Sequence, residues 1–219
     1  MKVFVAGATG ETGRRVVREL VEREIPVCAF VRNLETAQTI LPPSTEIAVG
    51  DLLDRRSIQK AMEGCTAVIS ATGAKPSLDP GGPCRVDYEG TNNLVRVAQS
   101  QEIDRFVMVS SLCVSRFFHP LNLFWLVLFW KKRAEGFLQN SDLNYTIVRP
   151  GGLSNTENDF PIKMAGADTL FGGSIPRTKV AQVCVEALFS PESQRKIVEV
   201  VATADASPKD ISELFASVS

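Results

Sequence analysis

The chain has 219 residues, 44% of them hydrophobic and 22% charged, with a formal net charge of −1. This composition fits one sizeable globular domain and excludes a disordered chain. The balance of 24 Lys and Arg against 25 Asp and Glu argues against a nucleic-acid binder. Five scattered cysteines, none in a C-x-x-C spacing, argue against a disulfide framework or a zinc knuckle and fit a reducing compartment. The single histidine, His119, leaves no His-pair chemistry, and no metal site is expected.

The predicted elements alternate in chain order. Lys2–Ala6, Pro26–Val31, Glu46–Val49, Ala67–Ser70, Phe106–Ser110 and Thr146–Val148 are short, β-branched-rich apolar runs, which read as strands buried on both faces of a parallel sheet. Gly13–Glu24 carries Val16, Val17, Leu20 and Val21 on one helical stripe, and Asp87–Gln101 carries Leu94, Val95, Val97 and Ala98. Phe124–Asn140 and Thr178–Leu188 are further helices, Ile197–Val201 a further strand and Pro208–Ser217 a terminal helix. Leu41–Thr45, Lys75–Pro83 and Pro150–Asp159 read as loops. The alternation predicts a single-domain α/β fold with a doubly wound parallel sheet. Its longest apolar stretch, Leu121–Trp130, is far shorter than the roughly 20 residues that span a bilayer. MKVFVAGATG lacks a signal peptide's apolar core, so a soluble or at most peripheral protein is expected.

The most informative residues are Gly7, Gly10 and Gly13 in GATGETG, between the first strand and the first helix. Glycine permits the tight turn, the close approach of backbone to a diphosphate, and the packing of helix on strand. Unpaired amides and the helix dipole favour an anion there, with hydroxyls from Thr9 and Thr12. No Gly-Lys-Ser/Thr follows, which excludes a triphosphate loop of that type. Asp or Glu about 20 residues beyond such glycines reads the ribose 2′-OH of NAD. Here the second strand is followed by Arg32, whose guanidinium pairs with a 2′-phosphate, and Arg14 offers a second charge; the cofactor expected is NADP(H).

The spacing G-x-x-G-x-x-G resembles that of the short-chain dehydrogenase/reductase superfamily, over nearly the whole chain. Gly50-Asp51, with Leu52, resembles its adenine-side segment, Ala71-Thr72-Gly73 its ribose-side loop, Ser110-Ser111 the end of its serine-bearing strand, and Arg149-Pro150-Gly151-Gly152, with Leu153, its nicotinamide-side loop. Within the superfamily the set is similar to the atypical, NmrA-like branch, which includes the biliverdin/flavin reductase and the dehydrogenase-like domain of a chloroplast envelope translocon component. The segment NLFWLVLFWKKRAEGFLQNSDLNYTIVRPGG most resembles the latter, which implies a cyanobacterial or plastid-type source and residence in the cytoplasm or plastid stroma. The resemblance implies a Rossmann-type domain over 1–219. Its substrate side would be formed mainly by 111–135 and 150–177, with Ser111 and Lys131 as catalytic candidates.

Most members of that superfamily use a Tyr-x-x-x-Lys pair. Aligning Lys131-Lys132-Arg133-Ala134-Glu135 with the family's Lys-Arg-x-Ala-Glu puts Val127 at the tyrosine position. A valine exchanges no proton, so ordinary alcohol–ketone chemistry is not expected. Two readings stay open. One is an NADPH-dependent oxidoreductase passing hydride to a flavin-, quinone- or bilin-like acceptor, for which the cofactor carries the chemistry. The other is a non-catalytic NADP(H)-binding redox sensor or scaffold with protein partners. Six of the sixteen aromatics crowd between Phe117 and Trp130, flanked by Arg116 and by Lys131-Lys132-Arg133. Region 117–133 is therefore open to three roles: core packing and pocket lid, a protein–protein surface, or a peripheral membrane contact.

Overall fold

The computed structural model describes residues 1–74, 79–123 and 125–218. Lys75–Leu78 of one expected loop and Phe124 at one expected helix start lie outside the described residues. The strands are β1 (Val3–Ala6), β2 (Val27–Val31), β3 (Glu46–Val49), β4 (Ala67–Ser70), β5 (Arg105–Val109), β6 (Tyr145–Pro150), β7 (Gly152–Ser154), β8 (Ile162–Gly166), β9 (Ser174–Pro176) and β10 (Lys196–Ala202). The helices are α1 (Gly13–Glu22), α2 (Leu34–Ile40), α3 (Arg55–Met62), α4 (Thr91–Ser100), α5 (Val127–Gln139), α6 (Arg177–Glu186) and α7 (Ile211–Ser217). A π-helical turn, Cys84–Gly90, runs into α4, and a 3₁₀ turn, Pro120–Leu123, precedes α5.

One sheet holds all ten strands, in the order β3-β2-β1-β4-β5-β6-β10-β9-β7, with β8 also on β10. From β3 through β6 to β10 every pairing is parallel, whereas β8 and β9 join β10 antiparallel. Alternation along the strands assigns the two faces. Val3, Val5, Ala29, Val107 and Val198 pack with α1, α6 and α7; Phe4, Phe30, Phe106 and Ile147 pack with α3, α4 and α5. Both faces are covered, so the central strands β1 and β2 are apolar throughout. Two sequence expectations need correction. The edge strand β3 exposes Glu46 and Val49, because it lacks a neighbour on one side, and is not buried on both faces. The segment Pro150–Asp159 is not all loop, since it contains β7.

Helices α2 and α3 escaped the sequence reading because they have seven and eight residues, too few to set up a clear stripe. The available signal was in their caps: the side chain of Asn33 accepts from the Thr36 amide at 2.8 Å, and that of Asp54 from the Arg56 amide at 3.0 Å.

A buried ionic cluster joins the sheet to α5 and to the β8–β9 connection. Arg149, fully buried on β6, donates to Glu135 of α5 through Nε (2.9 Å) and Nη2 (2.7 Å), and through Nη1 to Asp168 (2.9 Å) and Glu199 of β10 (3.3 Å). Glu199 also accepts the backbone amides of Asp168, Thr169 and Leu170. Burial works against the Arg149 charge, but the hydrogen bonds and charge of Glu135, followed by the other carboxylates, raise its pKa. Burial likewise opposes the Asp168 carboxylate, yet a hydrogen bond from Ser115 and the Arg149 charge hold its pKa below the ordinary 3.8. A depressed carboxyl stabilises the fold above its unfolded pKa, so this contribution is present at neutral pH and lost as pH falls through the lower folded value.

Glu199→Gln puts an amide NH2 against either the arginine or the three backbone donors. The expected cost is about 3–5 kcal/mol, seen as a Tm fall of about 10 °C; a fall within about 2 °C would mean that the cluster contributes little.

Candidate functional site

The glycine turn is built by close packing. Gly7 has φ +77°, and a Cβ on it would lie 2.6 Å from the Ala71 carbonyl oxygen. A Cβ on Gly13 would lie 2.1 Å from the Gly7 carbonyl oxygen. Both positions therefore demand glycine: the first lets β1 meet the loop after β4, and the second seats α1 on the turn. Gly10 donates its amide to the Gly7 carbonyl at 2.9 Å. The amides of Thr9, Glu11, Thr12 and Gly13 donate to no backbone acceptor among the described residues, so a fan of N–H groups stands at the start of α1.

Beside this turn a cleft of ≈ 400 Å³ opens at the carboxyl ends of β1, β2, β3 and β4, where the strand order reverses. Gly7, Thr9, Gly10, Arg32, Asp51, Leu52, Ala71, Thr72 and Gly73, all sequence candidates, line it. Thr12 and Gly13 do not line it; Thr12 takes the N-cap position of α1 without a side-chain capping bond. Gly50 lies at its wall: a Cβ there would strike the Phe30 ring at 2.5 Å, so the glycine makes room for an aromatic surface on the adenine side. Asp51 is fastened by its own turn, its carboxylate accepting from the Leu53 amide at 2.8 Å. Arg14, the second cation considered for the 2′-phosphate, pairs with Glu11 at 2.8 Å and does not line the cleft. Arg85, on the π-helical turn and ion-paired with Asp79, lines it instead. No sequence motif flagged Arg85, because an arginine in a mixed segment gives no periodic signal.

Lys131 does not line the cleft itself but stands against Gly73, which does. Its Nζ meets Asp87 Oδ1 at 2.7 Å, and Asp87 Oδ2 accepts from the Ala74 amide at 3.1 Å. A Cβ on Gly73 would lie 3.7 Å from both the lysine nitrogen and the aspartate oxygen, so the pair stands against the ribose-side loop. Asp87 is buried and was missed in the sequence, where it reads as the polar side of a helix start. Val127 begins α5 and packs with Leu112, Cys113 and Val114, a wholly hydrocarbon environment apart from the Cys113 thiol. Of the two tyrosines, Tyr145 is buried in β6; Tyr88 packs on Trp130 and does not line the cleft. A hydrogen bond from Asn92, then one from Arg133, lowers the Tyr88 pKa.

The remaining candidates form a second group. The Ser110 hydroxyl donates to Glu135 at 2.7 Å, inside the Arg149 cluster. Ser111 follows it, half-buried, and Leu112 donates its amide to the Pro150 carbonyl, which places the ends of β5 and β6 side by side. The amides of Gly151 and Gly152 are used within the sheet, by Val200 and Gly173, leaving Leu153 exposed at the rim. Arg149 thus belongs to a buried ion cluster beneath this loop.

The residues present fit a dinucleotide: a glycine cradle that a Cβ would fill, a fan of unbonded amides for the diphosphate, and one arginine beyond the second strand. A family model for NAD(P)H-binding domains matches residues 7–191. The chain belongs to this NAD(P)H-binding family. It is 44% identical over 230 residues to an uncharacterized chloroplastic protein of Arabidopsis thaliana, covering 99% of this chain and 82% of that one. It is 38% identical to the chloroplastic protein TIC 62 of Pisum sativum, covering 91% of this chain but only 42% of that protein, so it spans less than half of that relative. It is 28% identical to sanguinarine reductase of Eschscholzia californica, covering 100% of this chain and 96% of the enzyme. Among solved structures, one from Bacillus halodurans named as an NAD-dependent epimerase/dehydratase superposes with TM-score 0.87 at 29% identity, covering 99% of each chain. A short-chain dehydrogenase/reductase of Veillonella parvula in complex with NADP superposes with TM-score 0.74 at 17% identity, over 95% of this chain and 98% of that one.

Arg32→Ala is expected to weaken NADPH binding about 10- to 100-fold in a fluorescence titration, the loss of one charge-assisted pair, while leaving NADH binding nearly unchanged. Gly13→Ala should abolish binding of both coenzymes. Equal losses for NADPH and NADH in Arg32→Ala would assign the arginine no role in selecting the 2′-phosphate.

Proposed function

We propose that the protein is an NADPH-dependent reductase that passes hydride to a flavin-, quinone- or bilin-like acceptor. The observation that carries this reading is the ion pair of the buried Asp87 with the partly exposed Lys131 against Gly73, with an apolar Val127 one helical turn earlier on α5. Gly7, Thr9, Gly10 and the amides opening α1 would hold the diphosphate, Arg32 the 2′-phosphate, and Ala71 to Gly73 the ribose region. The reduced nicotinamide supplies the hydride when bound. Lys131 would contribute a fixed cation behind Gly73, and Asp87 is the positioning residue that holds it. Val127 offers no proton, and among the described residues neither tyrosine lines the cleft, which favours an acceptor that tolerates a transient anion and draws its proton from water. Conjugated flat acceptors do so, since their ring systems spread the charge. The name of the sanguinarine reductase relative supports a reductase role, and the chloroplastic names of two relatives favour a plastid-type setting.

A second reading, a non-catalytic NADP(H)-dependent sensor or scaffold, is favoured by the same Val127 and by the exposed aromatic residues before α5. NADPH oxidation followed with flavins, quinones and biliverdin separates the two. The reductase reading expects turnover on at least one of these. It also expects Lys131→Met to lower kcat about tenfold or more through lost positioning, with a smaller change in NADPH affinity. Tight NADPH binding with no turnover on any acceptor would leave the scaffold reading standing.

A further inference from the structure

The segment between β5 and α5 is folded with its polarity reversed. Phe118 is 96% exposed and Leu123 84% exposed, and Phe117, Leu121, Trp125 and Leu126 are also exposed. Asn122, a polar residue among them, is only 9% exposed. Its side chain braces the segment from within: Nδ2 donates to the Phe117 carbonyl at 2.8 Å, and Oδ1 accepts from the amides of Leu128 (3.0 Å) and Phe129 (3.2 Å) at the start of α5. Trp125 and Leu126 both take the left-handed backbone region, φ 56° and 58°, which side-chain-bearing residues rarely adopt. Strain of this kind persists where surrounding structure over-determines it. The protein thus spends a buried amide and two unfavourable backbone conformations on holding apolar side chains outward.

The chain segment that carries this protrusion is charged in one sign. The sequence from Arg105 to Ala134 contains no Asp or Glu, although the whole chain carries a net charge of −1. Three cations flank the apolar tip, each lying on or beside a hydrophobic surface. The Arg116 guanidinium stacks 3.9 Å from the Phe171 ring, and Arg133 lies over Tyr88 (5.3 Å) and Phe129 (5.8 Å). Lys132 is half-exposed, and its nearest carboxylate, 3.7 Å away, already serves Ser110 and Arg149. Such side chains bury their stems in apolar surroundings and keep the charge at a wet boundary.

We infer that this protrusion is a docking surface for an anionic lipid bilayer. Two features select a bilayer over a protein. Phe118 and Leu123 stand almost wholly in solvent, Phe118 with its ring edge-on to Phe117, which suits insertion into a fluid medium better than the complementary packing of a protein interface. Arg116, Lys132 and Arg133 lie beside the tip on a chain segment that carries no acid of its own, as anionic headgroups around an inserted aromatic cluster require. The contact is peripheral: no helix among the described residues is long and apolar enough to cross a membrane. This inference is independent of turnover, since it concerns a surface outside the cofactor cleft.

Flotation of the full chain with vesicles tests it. Vesicles of phosphatidylcholine containing about 30 mol% phosphatidylglycerol should capture the protein, and pure phosphatidylcholine should capture much less. Raising salt from about 0.1 M to about 1 M should release much of the bound protein. Phe118→Ser with Leu123→Ser should weaken binding at least about tenfold, and Arg116→Glu with Arg133→Glu should do the same while leaving any residual binding insensitive to salt. Unchanged NADPH binding in the variants shows that they fold. The inference is overturned if the wild type does not float with anionic vesicles, if it floats equally with neutral ones, or if the serine variant floats like the wild type. It is also overturned if sedimentation shows a dimer that the serine variant loses while wild-type vesicle binding is absent, which would make the patch an interface between copies.

Discussion

The architecture of the site depends on one steric constraint, the approach of the Gly7 backbone to the Ala71 carbonyl. That approach sets β1 and the loop after β4 at the distance where a second loop can face the first turn. With a side chain at Gly7 the two loops must separate, and the cleft would lose its shared wall. Gly13 imposes the same constraint one turn later, between α1 and the carbonyl of Gly7 itself. The fan of free amides is a by-product of this packing: the chain turns too tightly for those N–H groups to find backbone acceptors, and an anion is the natural partner that remains.

A different kind of force organises the other half. Arg149, Glu135 and Glu199 are buried together, and desolvating three charges is favourable only if nearly every lone pair and proton is matched. The matching draws in Ser110, Asp168 and three successive amides, so the ends of β5, β6 and β10, the helix α5 and the β8–β9 connection share one set of hydrogen bonds. Such a cluster contributes more to a unique arrangement than to net stability. Here it fixes where α5 lies, and with it Lys131.

How much could be read in advance follows from range. The seven parallel strands from β3 to β10 and α1 announced themselves because their patterns are local, and the glycine turn because its place between strand and helix is local too. The conversion of Arg149 from a loop residue into the centre of a cluster could not be read, since its partners stand 14 and 50 positions away. Asp87 was hidden for the same reason: only the packing of the π-helical turn on α5 reveals that it faces Lys131. Strands β7, β8 and β9 were missed because three- to five-residue, half-exposed segments lack the apolar runs of the central sheet. The aromatic segment was conspicuous from composition, but its outward orientation depends on Asn122, whose bonds no pattern reports.

The π-helical turn Cys84–Gly90 holds one more residue per turn than an ordinary helix. Deleting a single amino acid there would let the backbone relax to regular winding and swing everything upstream by about 100° about the axis. Arg85 and Val86 would turn away from the cleft, and Asp87 would part from the lysine, with the hydrophobic core left nearly intact. Among descendants of this gene, length in that stretch should therefore be preserved more strictly than chemistry, and a shortened version would be a folded protein that had changed its occupation.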